Sequence, residues 1–141
     1  MANAKLRHMA ISCEDLEATA KFYIDTFGME RFGAAKGPTA DGIYLSDGTI
    51  NLALLRYKED EPMGEGKDKD WFGPHHIGFW VDDSEESAKD IEAAGGKWFM
   101  GEMAVDNAFY EVKYTDPNGI IFDITHNGWG GAKKDGPDGD A

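Results

Sequence analysis

An internal repeat constrains this chain more than any other feature. His8 is followed after five residues by Glu14-Asp15, and His76 is followed after five by Asp82-Asp83. Ala20-Lys21 and Gly28 recur as Ala88-Lys89 and Gly96, always 68 residues on. A module used twice stacks or pairs with its copy to bury what neither copy buries alone. The repeat therefore predicts two like subdomains in one compact unit, which 141 residues suffice to build.

Each copy reads as β-α-β-β-β. Residues 6–13 alternate with period two, placing Met9, Ile11 and Cys13 on one face and His8, Ala10 and Ser12 on the other. Glu14-Asp15 opens a helix with Leu16, Ala20, Phe22, Tyr23 and Phe27 at helical spacing, and Gly28 stops it. Strands follow at 29–35, 42–46 and 49–57, the last two joined by Ser46-Asp47-Gly48. In the second copy, 75–81 is a strand, 83–94 a helix ended by Gly95-Gly96, and 97–100, 109–115 and 120–126 are strands. Asp116-Pro117-Asn118-Gly119 turns the chain into the last of them. The modules span 1–57 and 75–127; an acidic linker covers 58–74, and a flexible Gly/Asp-rich tail covers 128–141.

One helix cannot cover both sides of its sheet, so the side without a helix must turn inward or meet a partner. Period two assigns His8, His76 and Asp123 to that side, with Met9, Ile11, Phe122 and Ile124 towards the helices. Two imidazoles and a carboxylate form a donor set for a first-row divalent ion, with positions left open for substrate or oxygen. Each alone reads as a hydrogen-bonded structural residue, and only their equivalent placement in both modules suggests a site.

Composition narrows the partners. Fourteen basic against 27 acidic residues give a net charge of −13, which repels phosphate backbones and anionic membranes, so no nucleic acid and no membrane partner is expected. No run approaches the ~18 apolar residues of a membrane helix, and the first residues lack the apolar core of a signal peptide, so the expected location is cytoplasmic. The single Cys13 excludes an internal disulfide and reads as a small core residue.

The paired modules, Glu14-Asp15-Leu16, Phe22-Tyr23, Phe27-Gly28-Met29, the run from His76 to Asp82, and Asp116-Pro117-Asn118-Gly119 with Asp123 four residues on resemble the vicinal oxygen chelate superfamily. That group is also called glyoxalase/bleomycin resistance/dioxygenase. The resemblance covers about residues 5–127. It implies an α+β fold in which two βαβββ modules form a curved mixed sheet around a central cavity. It also implies one divalent metal ion (Fe, Ni, Zn or Mn), a small substrate that chelates it through neighbouring oxygens, and a homodimer. The family's ligand positions fall on His8, His76 and Asp123, with Asn51 at the fourth. Aspartate here is one methylene shorter than the usual glutamate, and Asn51 replaces a carboxylate.

Three functions follow from the resemblance: a glyoxalase-like lyase or isomerase, an Fe(II) extradiol-type dioxygenase, and a non-catalytic bleomycin-resistance-like binding protein. The first needs a base other than Asn51, for which Glu111 is the candidate. Tyr110 and Tyr114 share its strand and are further candidates to reach the pocket. Trp80, with the parity of His76, and Tyr114 are expected to contact substrate. His75 and His126 have the opposite parity to the ligands next to them and read as structural. Loops 58–74 and 101–108 are expected to shape the pocket.

Overall fold

The computed structural model describes residues 3–102 and 111–135. Strands β1 (Lys5–Ser12), β2 (Glu30–Lys36), β3 (Ala40–Ser46), β4 (Asn51–Tyr57), β5 (Gly73–Trp80), β6 (Lys97–Met100), β7 (Val112–Thr115) and β8 (Ile121–Thr125) form one sheet. Its order is β2-β3-β4-β1-β5-β8-β7-β6. Helices α1 (Leu16–Phe27) and α2 (Ser84–Ala93) follow β1 and β5, so the β-α-β-β-β plan occurs twice. The fold is α+β, with a mixed, curved sheet and two helices.

The repeated acidic pairs cap the helices. The Asp15 carboxylate accepts the Ala18 N–H at 3.0 Å, and the Asp83 carboxylate accepts that of Glu86 at 3.1 Å. Gly28 ends α1 in the left-handed region at φ 70°, a conformation that costs glycine nothing. The repeated dipeptide is thus a helix-start signal and takes no part in the site.

The two first strands meet at the centre of the sheet. β1 lies antiparallel to β5, each runs parallel to the last strand of its own module, and these four strands form the floor of the concave side. The helices cover the convex side over two cores. Ile43, Leu45, Leu52 and Leu54 pack with Ala20 of α1, and Val81, Val112, Tyr114 and Ile124 pack with Ala88 and Ile91 of α2. Leu45 and Leu54 are fully enclosed, each contributing about 1.5–3 kcal/mol by leaving water. Cys13 belongs to the first core, as period two predicts.

The linker and tail are more structured than their composition suggests. Within 58–74, Glu61–Met63 form a 3-10 turn, and Met63 is completely buried. In the tail, Ser46 donates to the Gly131 carbonyl at 2.9 Å, Lys133 N–H to Thr49 O at 3.0 Å, and Arg7 to Lys133 O at 2.8 Å. Residues 128–135 therefore form a strap docked on the first module, and the expected flexible tail does not begin at Gly128. Much of the expected loop 101–108, together with Tyr110 and residues 136–141, lies outside the described residues.

Candidate metal centre

His8 on β1, His76 on β5 and Asp123 on β8 converge on the concave side within one chain. All three are buried. His8 Nε2 lies 3.3 Å from His76 Nε2, and Asp123 Oδ2 lies 3.6 and 3.1 Å from these two nitrogens. An ion held at about 2.0–2.2 Å by three such donors, in tetrahedral or facial octahedral geometry, needs them about 2.8–3.6 Å apart. The triangle fits.

Proton positions strengthen the fit. Asn51 donates its amide N–H to Gly130 O at 2.9 Å, so its Oδ1 faces His8 Nδ1 at 2.8 Å and accepts the ring N–H. His8 Nε2 is left with a bare lone pair. His75 Nε2 lies 3.0 Å from Met63 O and can only donate to it, so His75 Nδ1 accepts the N–H of His76 Nδ1 at 2.8 Å. His76 Nε2 is bare as well. Burial lowers the pKa of both His8 and His75 and takes that of His76 well below its ordinary value, where Lys113 adds to the effect. Burial thus favours the neutral form of all three rings. Asp123 Oδ2, aimed at the same point, has no hydrogen-bond partner among the described residues. Two bare lone pairs and an orphaned carboxylate oxygen converging in a buried place are complementary to a cation.

Asn51 and Asp123 are not equivalent, and the sheet register shows why. Asn51 pairs with His8 itself, whereas Asp123 pairs with Gly78, two residues beyond His76. The residue in the first module at the place of Asp123 is Ala53, which pairs with Ala10 and carries no donor atom. Asn51 therefore orients His8 from behind and does not face the centre. Three donors remain, contributed unequally by the modules.

The cavity over this centre has a volume of about 720 Å³ and is walled by Phe32, Tyr44, Tyr57 and Trp129. Val112 and Tyr114 point to the helix side, which turns Glu111 and Lys113 towards the cavity. Lys113 Nζ binds Asp123 Oδ1 at 2.6 Å. Burial opposes its charge, but the carboxylates of Asp123 and Glu111 outweigh that and raise its pKa. Glu111 Oε2 lies 3.8 Å from His8 Nε2 and accepts the Trp129 indole N–H at 2.8 Å. Its pKa is raised, first by burial and then by Asp123, against the opposing pull of Lys113.

Two expected substrate contacts lie elsewhere. Tyr114 is buried in the core beside α2, because its parity is opposite to that of Lys113. Trp80 donates to His126 O at 3.2 Å and covers Gly128, where a Cβ would meet its ring at 2.4 Å, so it clamps the start of the strap. His126 bonds Ser84 at 3.0 Å, away from the centre. The residue missed in the sequence is Trp129, which stacks on His8 with ring centroids 4.6 Å apart and planes 7° from parallel. Gly78 makes room for both, since a Cβ there would meet His8 and Trp129 at 2.9 Å. Lys113 was missed too, because the sequence leaves open which parity of the expected strand 109–115 faces the cavity.

Fold and site together define an α+β protein of paired βαβββ modules with a convergent His-His-Asp group that could hold a metal ion. The model for the Glyoxalase/Bleomycin resistance protein/Dioxygenase superfamily matches residues 5–124, and the chain belongs to that superfamily. Its members are typically dependent on a divalent metal. The anthracycline biosynthesis protein DnrV of Streptomyces peucetius is 30% identical over 121 residues, 81% of this chain and 44% of that protein. DauV of Streptomyces sp. (strain C5), also named an anthracycline biosynthesis protein, is 29% identical over 121 residues with the same coverage. The chain thus spans less than half the length of these curated relatives. Among solved structures, a methylmalonyl-CoA epimerase in complex with methylmalonyl-CoA and NH4+ superposes with a TM-score of 0.67 at 25% identity, covering 86% of this chain and 92% of that one. The Streptomyces coelicolor methylmalonyl-CoA epimerase in complex with 2-nitronate-propionyl-CoA gives 0.68 at 23% identity, covering 85% and 94%, a likeness of fold. Among the described residues no helix is long and apolar enough to cross a membrane.

Proposed function

We propose that this chain is a metal-dependent isomerase or lyase that moves a proton on a carbon next to a carbonyl, in a small substrate bound through two neighbouring oxygens. The observation that carries this reading is the half-buried carboxylate of Glu111 beside the convergent His8, His76 and Asp123 donors. A divalent ion held by those three residues would polarise the substrate carbonyl and acidify the adjacent C–H. Glu111, with its raised pKa, takes that proton and returns it. The Trp129 N–H holds the Glu111 carboxylate in place. Lys113 sets a positive charge beside the centre, where oxyanion character develops. Phe32, Tyr44, Tyr57 and Trp129 give the cavity aromatic walls, which suit a substrate with aromatic rings. The relatives named for anthracycline biosynthesis support that substrate class, since anthracyclines are fused-ring aromatics bearing adjacent oxygens.

The test is solvent exchange. Metal-reconstituted protein is incubated in D2O with aromatic α-hydroxyketones, benzoin first, and loss of the α-proton is followed by NMR. The wild type should catalyse exchange, and Glu111→Gln should lose at least 100-fold, in the range expected for a general base. A second reading, an Fe(II) dioxygenase, is favoured by the two-histidine, one-carboxylate donor set itself. Absence of exchange, with oxygen uptake by iron-loaded protein on catechols, would replace the first reading by the second.

A further inference from the structure

His75 and His76 are adjacent in β5, and strict alternation would send their side chains to opposite faces. They touch, with ring centroids 5.0 Å apart and planes at 81°. The cause is a register shift between β1 and β5. Ala10 pairs with His76 while Ile11 pairs with Pro74, leaving His75 as the extra residue of a bulge. Bulges re-aim a side chain, and here the bulge brings His75 Nδ1 to 2.8 Å from His76 Nδ1.

We infer that His75 is a positioning residue for the metal centre: it fixes His76 as the Nδ1–H tautomer and couples that ligand to the 58–74 loop. Each step follows from a bond. The Met63 carbonyl only accepts, so His75 Nε2 carries the proton. A neutral His75 then offers Nδ1 as a lone pair, which holds the His76 N–H and is approached by the Tyr57 hydroxyl at 3.2 Å. His76 Nε2 is thereby stripped of a proton and turned to the cavity. Met63, the end of this chain of bonds, is fully buried and belongs to the 3-10 turn, so the loop anchors the ligand from outside the sheet. A partner on the second ring nitrogen characteristically sets the tautomer and orientation of a ligating histidine. In this chain the partner is another histidine, supplied by a bulge.

The inference rests on the metal-site reading, and its test separates the two. Two variants are compared with the wild type. His75→Gln keeps an acceptor for His76 and a donor for Met63, while His75→Phe keeps the bulk and loses both. Long-range 1H–15N spectra of the metal-free wild type should show His76 as the Nδ1–H form. Cobalt(II) affinity, measured by competition with a chromophoric chelator, should fall about 10–100-fold in His75→Phe, the usual effect of removing such a partner, and should be largely rescued in His75→Gln. A His76 Nε2–H form in the wild type, or wild-type cobalt affinity in His75→Phe, overturns the inference. Should His75→Phe not fold, the wild-type tautomer and the His75→Gln affinity still decide it. A wild type that binds no cobalt, zinc, nickel, manganese or iron but keeps the Nδ1–H form overturns the metal reading and leaves the tautomer assignment standing.

Discussion

Lys113→Met should destabilise the metal-free protein and tighten its hold on metal. Lys113 Nζ sits 2.6 Å from Oδ1 of a carboxylate that is fully buried, and the other oxygen, Oδ2, has no hydrogen-bond partner among the described residues. Removing the ammonium leaves an uncompensated buried charge, a change that costs about 3–5 kcal/mol. At roughly 4 °C per kcal/mol for a chain of this size, Tm should drop by about 12–20 °C in the presence of chelator. A divalent ion replaces the missing charge and no longer meets the repulsion of the ammonium. The variant should therefore bind metal at least tenfold more tightly, and saturating metal should recover most of the lost Tm. The assay is thermal denaturation with EDTA and with excess zinc, together with a chelator-competition titration. An equal drop under both conditions, or unchanged metal affinity, would refute the reasoning.

Other outcomes follow from the same geometry. Asn51→Leu removes the acceptor from His8 Nδ1 and the donor to Gly130, so metal affinity should fall about 10–100-fold with the fold retained by circular dichroism. Gly78→Ala would drive a methyl group into His8 and Trp129, costing about 1–3 kcal/mol in a urea titration and weakening metal binding. In the metal-free protein the lowered pKa values of His8 and His76 mean that the unfolded chain takes up protons first as pH falls below about 6.5. Stability is complete above that pH and declines below it through the window down to the folded-state values, by up to about 1.4 kcal/mol per pH unit for each histidine. His76→Gln should flatten that slope in denaturant titrations across pH.

The fold was legible in the sequence because its signals are local. Asp15 and Asp83 cap the helices, Gly28 ends the first, and period two sorts Ile124 from Asp123 without reference to the rest of the chain. His8, His76 and Asp123 could be assigned to one face for the same reason. What stayed hidden depends on pairing. The two-residue offset that separates Asn51 from the place of Asp123 exists only in the register of β4 on β1 and β8 on β5. The bulge that turns His75 towards His76 is a property of two strands and is not legible in either one. Trp129 lies in a Gly-rich stretch whose composition reads as mobile. Its order comes from backbone bonds to Ser46, Asn51 and Thr49, none of which composition encodes. Tyr114 and Trp80 show the opposite error: the parity of β7 turns Tyr114 into the core beside α2, and Trp80, although on the His76 face, is taken up by the strap at His126 and Gly128.

The most direct measurement of the central claim is metal content by mass spectrometry, after purification without an affinity tag, for the wild type and His76→Ala. The convergent bare nitrogens of His8 and His76 and the orphaned Asp123 oxygen predict about one equivalent of a divalent ion in the wild type and its loss in the variant with the secondary structure unchanged. A full equivalent retained by His76→Ala, or no divalent metal taken up by the wild type even after reconstitution, would contradict it.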